Sequence, residues 1–300
     1  MNKKILLIGG DEILGESLSS YFANNTKNDL YVVSPNEKLD GLANLNYTDV
    51  TDREKLKELC FALKPDYILN VCELSNLLEC EDDKKKASDL NLILSQNLVR
   101  IANIVDAKYV GVSSDMIFDG TIGLYKEEAR PEPVNYYGKT KHAAENMIRS
   151  ENIPWTIIRT SMPFGFSKYS KKDELFDIVA KLHKGEKVLV SEKVTRTPIF
   201  SEDLAEGIAR VIEREKTGIY HIAGKDVYDA YNFASSVAEI FGYDRNLVQK
   251  TDKINELIPH KCGLNTAKAI KELDFDMPSA LSAMDSIAFL YKQYKVLEKK

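Results

Sequence analysis

Short apolar runs alternate along this chain with longer stretches in which apolar side chains recur every three or four positions. The runs are KILLIG (4–9), LYVVS (30–34), YILNV (67–71), YVGVSS (109–114), WTIIRT (155–160) and IYHIA (219–223). They are rich in Val, Ile and Tyr, the composition of strands buried on both faces. Between them, helical spacing covers Leu14–Ala23, Arg53–Leu63, Lys85–Val105, Asn135–Ser150, Lys171–His183 and Ser201–Arg214. Asp52 and Ser201 are read as N-caps, the second followed by acids in the first turn. Strands and helices that alternate singly predict a parallel sheet with crossover helices on both faces. Ligands should then bind beyond the carboxyl ends of the strands.

After about residue 165 the alternation loosens. Charged stretches such as KYSKKDE and DKINELIPHK interrupt it, and Pro259 stops a helix. The expectation is a doubly wound α/β domain from 1–165 plus 196–224. A smaller, mixed α/β substrate lobe is expected from 166–195 plus 225–300.

Composition narrows the class. Three hundred residues, 44% of them hydrophobic, suffice for one α/β domain with an added lobe. A net charge of −5 with acids and bases interspersed gives no polyanion-binding signal, so nucleic acid is not an expected partner. No apolar run approaches the roughly 18 residues of a membrane span. The opening MNKKILLIGG has too short an apolar part for a signal peptide and reads as a first strand. A cytoplasmic protein is expected, with no membrane partner. Cys60, Cys72, Cys80 and Cys262 lack CxxC spacing and are read as free thiols. The four histidines are scattered, so no metal is expected.

Three stretches carry candidate chemistry. After the first apolar run, Gly9, Gly10 and Gly15 in IGGDEILGE fall on the first, a variable and the last place of a G-x-x-G-x-x-G phosphate loop. Such glycines give a tight turn, close approach to a pyrophosphate and close helix–sheet packing. Glu12 stands where the middle glycine would be, with Asp11 beside it. Tyr137 and Lys141 in NYYGKTKHAAE lie one helical turn apart. An ammonium near a phenol lowers its pKa, which suits a general acid working on a carbonyl oxygen. VGVSSDMIFDG ends a strand, where the hydroxyl of Ser113 or Ser114 could bond the same oxygen.

Taken in order, these stretches resemble an extended short-chain dehydrogenase/reductase, closest to the dTDP-4-dehydrorhamnose reductase group. That group includes the regulatory beta subunit of methionine adenosyltransferase. The resemblance also covers YTDVTD (47–52), KPDYILN (64–70), EEARPEPVNYYGKTKHAAE (127–145), IIRTSMPFG (157–165), RTPIFSEDLAEGI (196–208), GIYHIAG (218–224) and LNTAKAIKEL (264–273). It implies a Rossmann-type fold that binds NADP or NAD and reduces a keto group on a nucleotide-linked sugar. A homodimer is a further possibility that the resemblance implies. Ser114, Tyr137 and Lys141 would be catalytic, Lys141 also touching the ribose. Gly9, Asp11, Ile13, Leu14, Gly15, Asp49, Val50, Cys72 and Asn91 would complete the cofactor site. Ser114, Met116, Phe118 and Met162 would face the substrate. The segment Ser34-Pro35-Asn36 lacks the acid expected for a ribose 2′-hydroxyl, which tilts toward NADP.

Four positions depart from the group's pattern. Glu12 and Glu73 put acids where a dianionic cofactor should lie, and a non-glycine at positive φ at position 12 would cost roughly 1–2 kcal/mol. Met116 and Met162 replace a tyrosine and a tryptophan near the sugar, and methionine offers neither a hydroxyl nor a stacking plane. A glutamate is absent after Ser114-Asp115, which disfavours sugar-nucleotide dehydration. Two readings follow: a reductase, or a cofactor-poor relative acting as a binding or regulatory subunit.

Overall fold

A computed structural model describes residues 2–34, 44–167 and 174–298. Its longer strands are β1 (Lys4–Ile8), β2 (Asp29–Ser34), β3 (Leu45–Tyr47), β4 (Tyr67–Asn70), β5 (Lys108–Ser114) and β6 (Trp155–Thr160). There follow β7 (Pro163–Phe164), β8 (Val188–Val190), β9 (Thr195–Arg196), β10 (Ile199–Phe200), β11 (Gly218–His221), β12 (Tyr228–Asp229) and β13 (Val248–Lys250). One sheet of seven strands runs β11-β6-β5-β4-β1-β2-β3, every neighbouring pair parallel. Each of the six apolar runs contributes one of its strands. The seventh, β3, is only three residues long at the edge.

The helices are α1 (Ile13–Asn25), α2 (Arg53–Leu63), α3 (Leu77–Asp82), α4 (Lys84–Ser88), α5 (Leu94–Val105) and α6 (Tyr136–Ser150). The remainder are α7 (Glu174–His183), α8 (Ser201–Glu213), α9 (Ala230–Phe241), α10 (Ala267–Leu273) and α11 (Ala280–Glu298). On one face of the sheet, Leu18 and Phe22 of α1 meet Leu204, Ile208 and Ile212 of α8, with Leu273 of α10. On the other, Leu56 and Cys60 of α2, Leu98 and Ile101 of α5 and Ile148 of α6 cover Leu6, Ile8 and Ile68. The fold is therefore doubly wound and Rossmann-like.

A separate apolar core joins α7, α9 and α11 with Val188 of β8 and Val248 of β13, forming a smaller lobe. Two-stranded pairings β7–β10, β8–β13 and β9–β12 stitch it beside the carboxyl ends of the main sheet. Ala269, Leu273, Phe275 and Met277, within the range expected for the lobe, pack on the main sheet instead.

Two local expectations are corrected. The single helix expected over Lys85–Val105 is interrupted by a π-helical turn, Asp89–Ile93, between α4 and α5. Ser201 is the first residue of α8 rather than its cap, and its Oγ accepts a hydrogen bond from Ser17 Oγ at 2.8 Å. Asp52 does cap α2, accepting from the Lys55 amide at 3.1 Å. Among the described residues no helix is long and apolar enough to cross a membrane.

Candidate active site

The chain leaves β1 for β2 on one side and later places β4 on the other, so the strand order reverses between β1 and β4. A crevice opens at such a point, beyond the strand ends. Here it is a cleft of about 560 Å³ between the sheet and the smaller lobe, within the range of small-molecule sites. Its sheet side includes Glu12, Ile13, Leu14, Glu73, Ser113, Ser114, Tyr137 and Thr160. Its lobe side includes Arg196, Tyr228, Lys253 and Asn255.

The glycine loop is built by close packing. Gly9 has φ +99°, and a Cβ there would lie 2.7 Å from the Cys72 amide nitrogen. A Cβ on Gly15 would lie 2.0 Å from the Gly9 carbonyl oxygen. Side chains at either place would part the loop from β4 or α1 from β1. Asp11 Oδ1 accepts from Ser34 Oγ at 2.9 Å, tying the loop to the end of β2. Glu12 is the N-cap of α1 at φ −77° and ψ 154°. That backbone is extended and open to any residue, so the strain expected at position 12 does not arise. The open turn and the first turn of α1 fit a diphosphate by shape and dipole. The Glu12 carboxylate opposes one by charge.

Tyr137 and Lys141 sit in the first two turns of α6, which Asn135 caps by accepting from the Gly138 amide at 2.6 Å. Both side chains converge on one atom: Glu73 Oε2 accepts from Tyr137 Oη at 2.9 Å and from Lys141 Nζ at 2.8 Å. Burial, then the charge and hydrogen bond of Glu73, hold the Tyr137 phenol well above its ordinary pKa, while the Ser114 hydroxyl pulls the other way. This reverses the expected direction: a third group takes up the ammonium whose effect on the phenol was anticipated. Glu73 therefore meets both the phenol and the ammonium.

Ser114 ends β5, accepting from the Met116 amide at 3.2 Å and donating to Asp115 Oδ1 at 3.3 Å. Asp115 is fully buried and receives Arg196 of β9 in a two-pronged pair at 2.8 and 2.7 Å, plus Ser161 Oγ at 2.6 Å. That pair joins the end of β5 to the lobe. Two more buried hydroxyls, on Ser113 and Thr160, which line the cleft, have no hydrogen-bond partner among the described residues.

Residues 3–277 match the RmlD substrate binding domain family. The chain belongs to that family. Among relatives, the dTDP-4-dehydrorhamnose reductase of Aggregatibacter actinomycetemcomitans is 25% identical over 273 residues, 88% of this chain and 85% of that one. Methionine adenosyltransferase 2 subunit beta of Xenopus tropicalis is 28% identical over 247 residues, covering 80% of this chain and 72% of that protein. A dTDP-4-dehydrorhamnose reductase from Bacillus anthracis, solved with NADP, superposes with a TM-score of 0.82 at 22% identity, covering 96% of this chain and 98% of that one.

The RmlD-type resemblance placed further residues at the site, and the structure distributes them. Ile13, Leu14, Ser114, Met116, Tyr137 and Met162 line the cleft, and Lys141 joins it through Glu73. Met116 Sδ lies 3.8 Å from Arg196 Nη1, and Met162 has φ +46°. Cys72 is half-buried against Gly9. Asp49 accepts from the amide and hydroxyl of Thr51 at 2.8 and 2.7 Å, which lowers its pKa, and Val50 packs into the core. Asn91 is buried and saturated: it bonds the Leu74 amide and carbonyl at 2.8 and 3.1 Å and Thr140 Oγ1 at 3.0 Å. It braces the loop after β4 rather than facing the cleft. Phe118 is likewise out of substrate reach, fully buried and stacked on Tyr125 at 4.2 Å. Of Ser34-Pro35-Asn36, Pro35 and Asn36 lie outside the described residues. Glu73's bridge, the Asp115–Arg196 pair and the two unpartnered hydroxyls are absent from the sequence reading. Only the strand-end position of Ser113 hinted at any of them.

Proposed function

We propose that this protein is an NAD(P)H-dependent reductase of a keto group on a nucleotide-linked sugar or a similar compound. One observation carries the reading. Ser114, at the carboxyl end of β5, and Tyr137 line one cleft, which Glu12, Ile13 and Leu14 of the glycine loop also border, and Lys141 shares the Glu73 carboxylate with the phenol. The turn of Gly9 and Gly15 with the first turn of α1 would hold the diphosphate of NADP or NAD, and Lys141 the ribose. The bound dinucleotide supplies a hydride. Ser114 orients the carbonyl oxygen, and Tyr137, kept protonated by its surroundings, donates the proton from Oη. The sugar nucleotide and NADP are the ligands that the family relatives suggest.

A second reading, a subunit that binds without turnover, is favoured by Glu73, which engages both Tyr137 and Lys141. Calorimetric titration with NADPH and NADH separates the two: micromolar binding is expected for the reductase, and none at millimolar concentration would refute it. With a keto-sugar nucleotide that is turned over, Tyr137→Phe should cut the rate about 10²–10⁴-fold and leave cofactor affinity intact. Unchanged turnover would remove Tyr137 from the role of acid.

A further inference from the structure

Glu73 stands in the loop between β4 and α3, and that loop is fastened on either side of it. The Cys72 amide donates to Asn70 Oδ1 at 3.2 Å, and Leu74 is held at both its amide and its carbonyl by Asn91. The backbone is thus fixed, while the Glu73 side chain reaches into the cleft with about a quarter of its surface, 23%, in solvent. A single oxygen, Oε2, takes both the phenol proton of Tyr137 and the ammonium of Lys141. With its proton aimed at Glu73, Tyr137 has none aimed at a substrate. With its ammonium in an ion pair, Lys141 is not offered to a sugar hydroxyl.

We infer that Glu73 is a displaceable gate on the reductase site: it holds Tyr137 and Lys141 in the ligand-free protein and releases them when a ribose hydroxyl takes its place. The proposal rests on the reductase reading above. Release needs only rotation about the Glu73 side-chain bonds, because both flanking residues stay tied. It exchanges two hydrogen bonds to a carboxylate for bonds to the cofactor, so the gate weakens cofactor binding by whatever those two bonds contribute. The surroundings do not favour ionisation of the phenol in place of the gate. Asp115 after β5 acts on Tyr137; Asp11 and Glu12 at the start of α1 act with Glu73 on the adjoining Cys72, and Glu79 and Glu81 of α3 act with Glu73 on Cys80. Arg196 pairs with Asp115 and Lys86 with Glu79, while Lys141 is the cation bonded to Glu73 itself.

The test uses the full chain and its Glu73→Gln variant, which keeps the shape of the side chain and removes its charge. NADPH and NADH affinity is measured by calorimetry. Ionisation of Tyr137 is followed by NMR of protein labelled at the tyrosine ζ carbon, its resonance identified by its loss in Tyr137→Phe. The gate predicts about tenfold or tighter cofactor binding in Glu73→Gln and ionisation of Tyr137 at lower pH than in the wild type. Equal or weaker binding by the variant overturns the gate while leaving the reductase reading in place, and so does an unmoved Tyr137 titration. No binding to either protein at millimolar cofactor defeats the reductase reading and the gate with it. Glu73→Ala, measured alongside, should also bind more tightly than wild type, which a contact needed only to shape the loop would not produce.

Discussion

Replacing Arg196 with methionine tests the link between the lobe and the strand end that carries Ser114. Methionine roughly keeps the length and apolar bulk of the arginine stem but removes both hydrogen bonds to Asp115, at 2.8 and 2.7 Å. Asp115 has no exposure to water, so its carboxylate would keep only the hydroxyls of Ser161, at 2.6 Å, and Ser114, at 3.3 Å. Stripping one partner from a buried ion pair costs about 3–5 kcal/mol. Because those two hydroxyls remain as donors, the lower end, about 3 kcal/mol, is expected. At about 2.1 cal/mol/K per residue, a chain of 300 residues should then melt roughly 5 °C lower. The discriminating variant is Asp115→Asn combined with Arg196→Met, which removes the orphaned charge as well. It should recover about 2 kcal/mol, since a neutral pair leaves no buried ion uncompensated. Scanning calorimetry of wild type, both single variants and the double variant completes the cycle. If Arg196→Met melts with the wild type, or the double variant melts no higher than Arg196→Met, the pair does not bind the lobe as described.

Two further predictions follow from the site and its surroundings. Glu12→Gln removes a negative charge beside the first turn of α1, and NADPH should bind about tenfold or more tightly by calorimetry, given that two charges about 4 Å apart repel by roughly 4 kcal/mol at an effective dielectric near 20; unchanged affinity would place the carboxylate away from the diphosphate. Burial, with the Arg159 charge second, lowers the His221 pKa from 6.5 to about 3, so the unfolded chain binds a proton that the folded one refuses; stability should fall as pH drops below about 6.5, by about 2 kcal/mol at pH 5, and urea unfolding of His221→Gln should lose that slope.

The sheet was legible because strands covered by helices on both faces must be apolar throughout, and such runs stand out between amphipathic stretches. β3 escaped because three residues at an edge carry no such pattern. The pairing of Tyr137 with Lys141 was readable because both lie on one helix, where spacing alone fixes their common face. Glu73 meets Tyr137 across 64 positions, and Asp115 meets Arg196 across 81. No local spacing encodes contacts of that separation. For that reason the direction of the phenol's shift could not be read from the helix: Lys141, one turn away, is taken up by a residue from another loop. Phe118 shows the opposite error, a residue carried over by family position whose ring belongs to the interior.

The π-helical turn at Asp89–Ile93 has a consequence for lineage and engineering alike. A turn of this kind holds one residue more than a regular α-helical turn, so everything before it is rotated about 100° relative to everything after it. Excising a single residue there would leave a smoother, intrinsically better helix, yet would swing Asn91 off the Leu74 backbone and unfasten the segment that carries Glu73. Stability of the helix and fidelity of the site pull in opposite directions at this one register step.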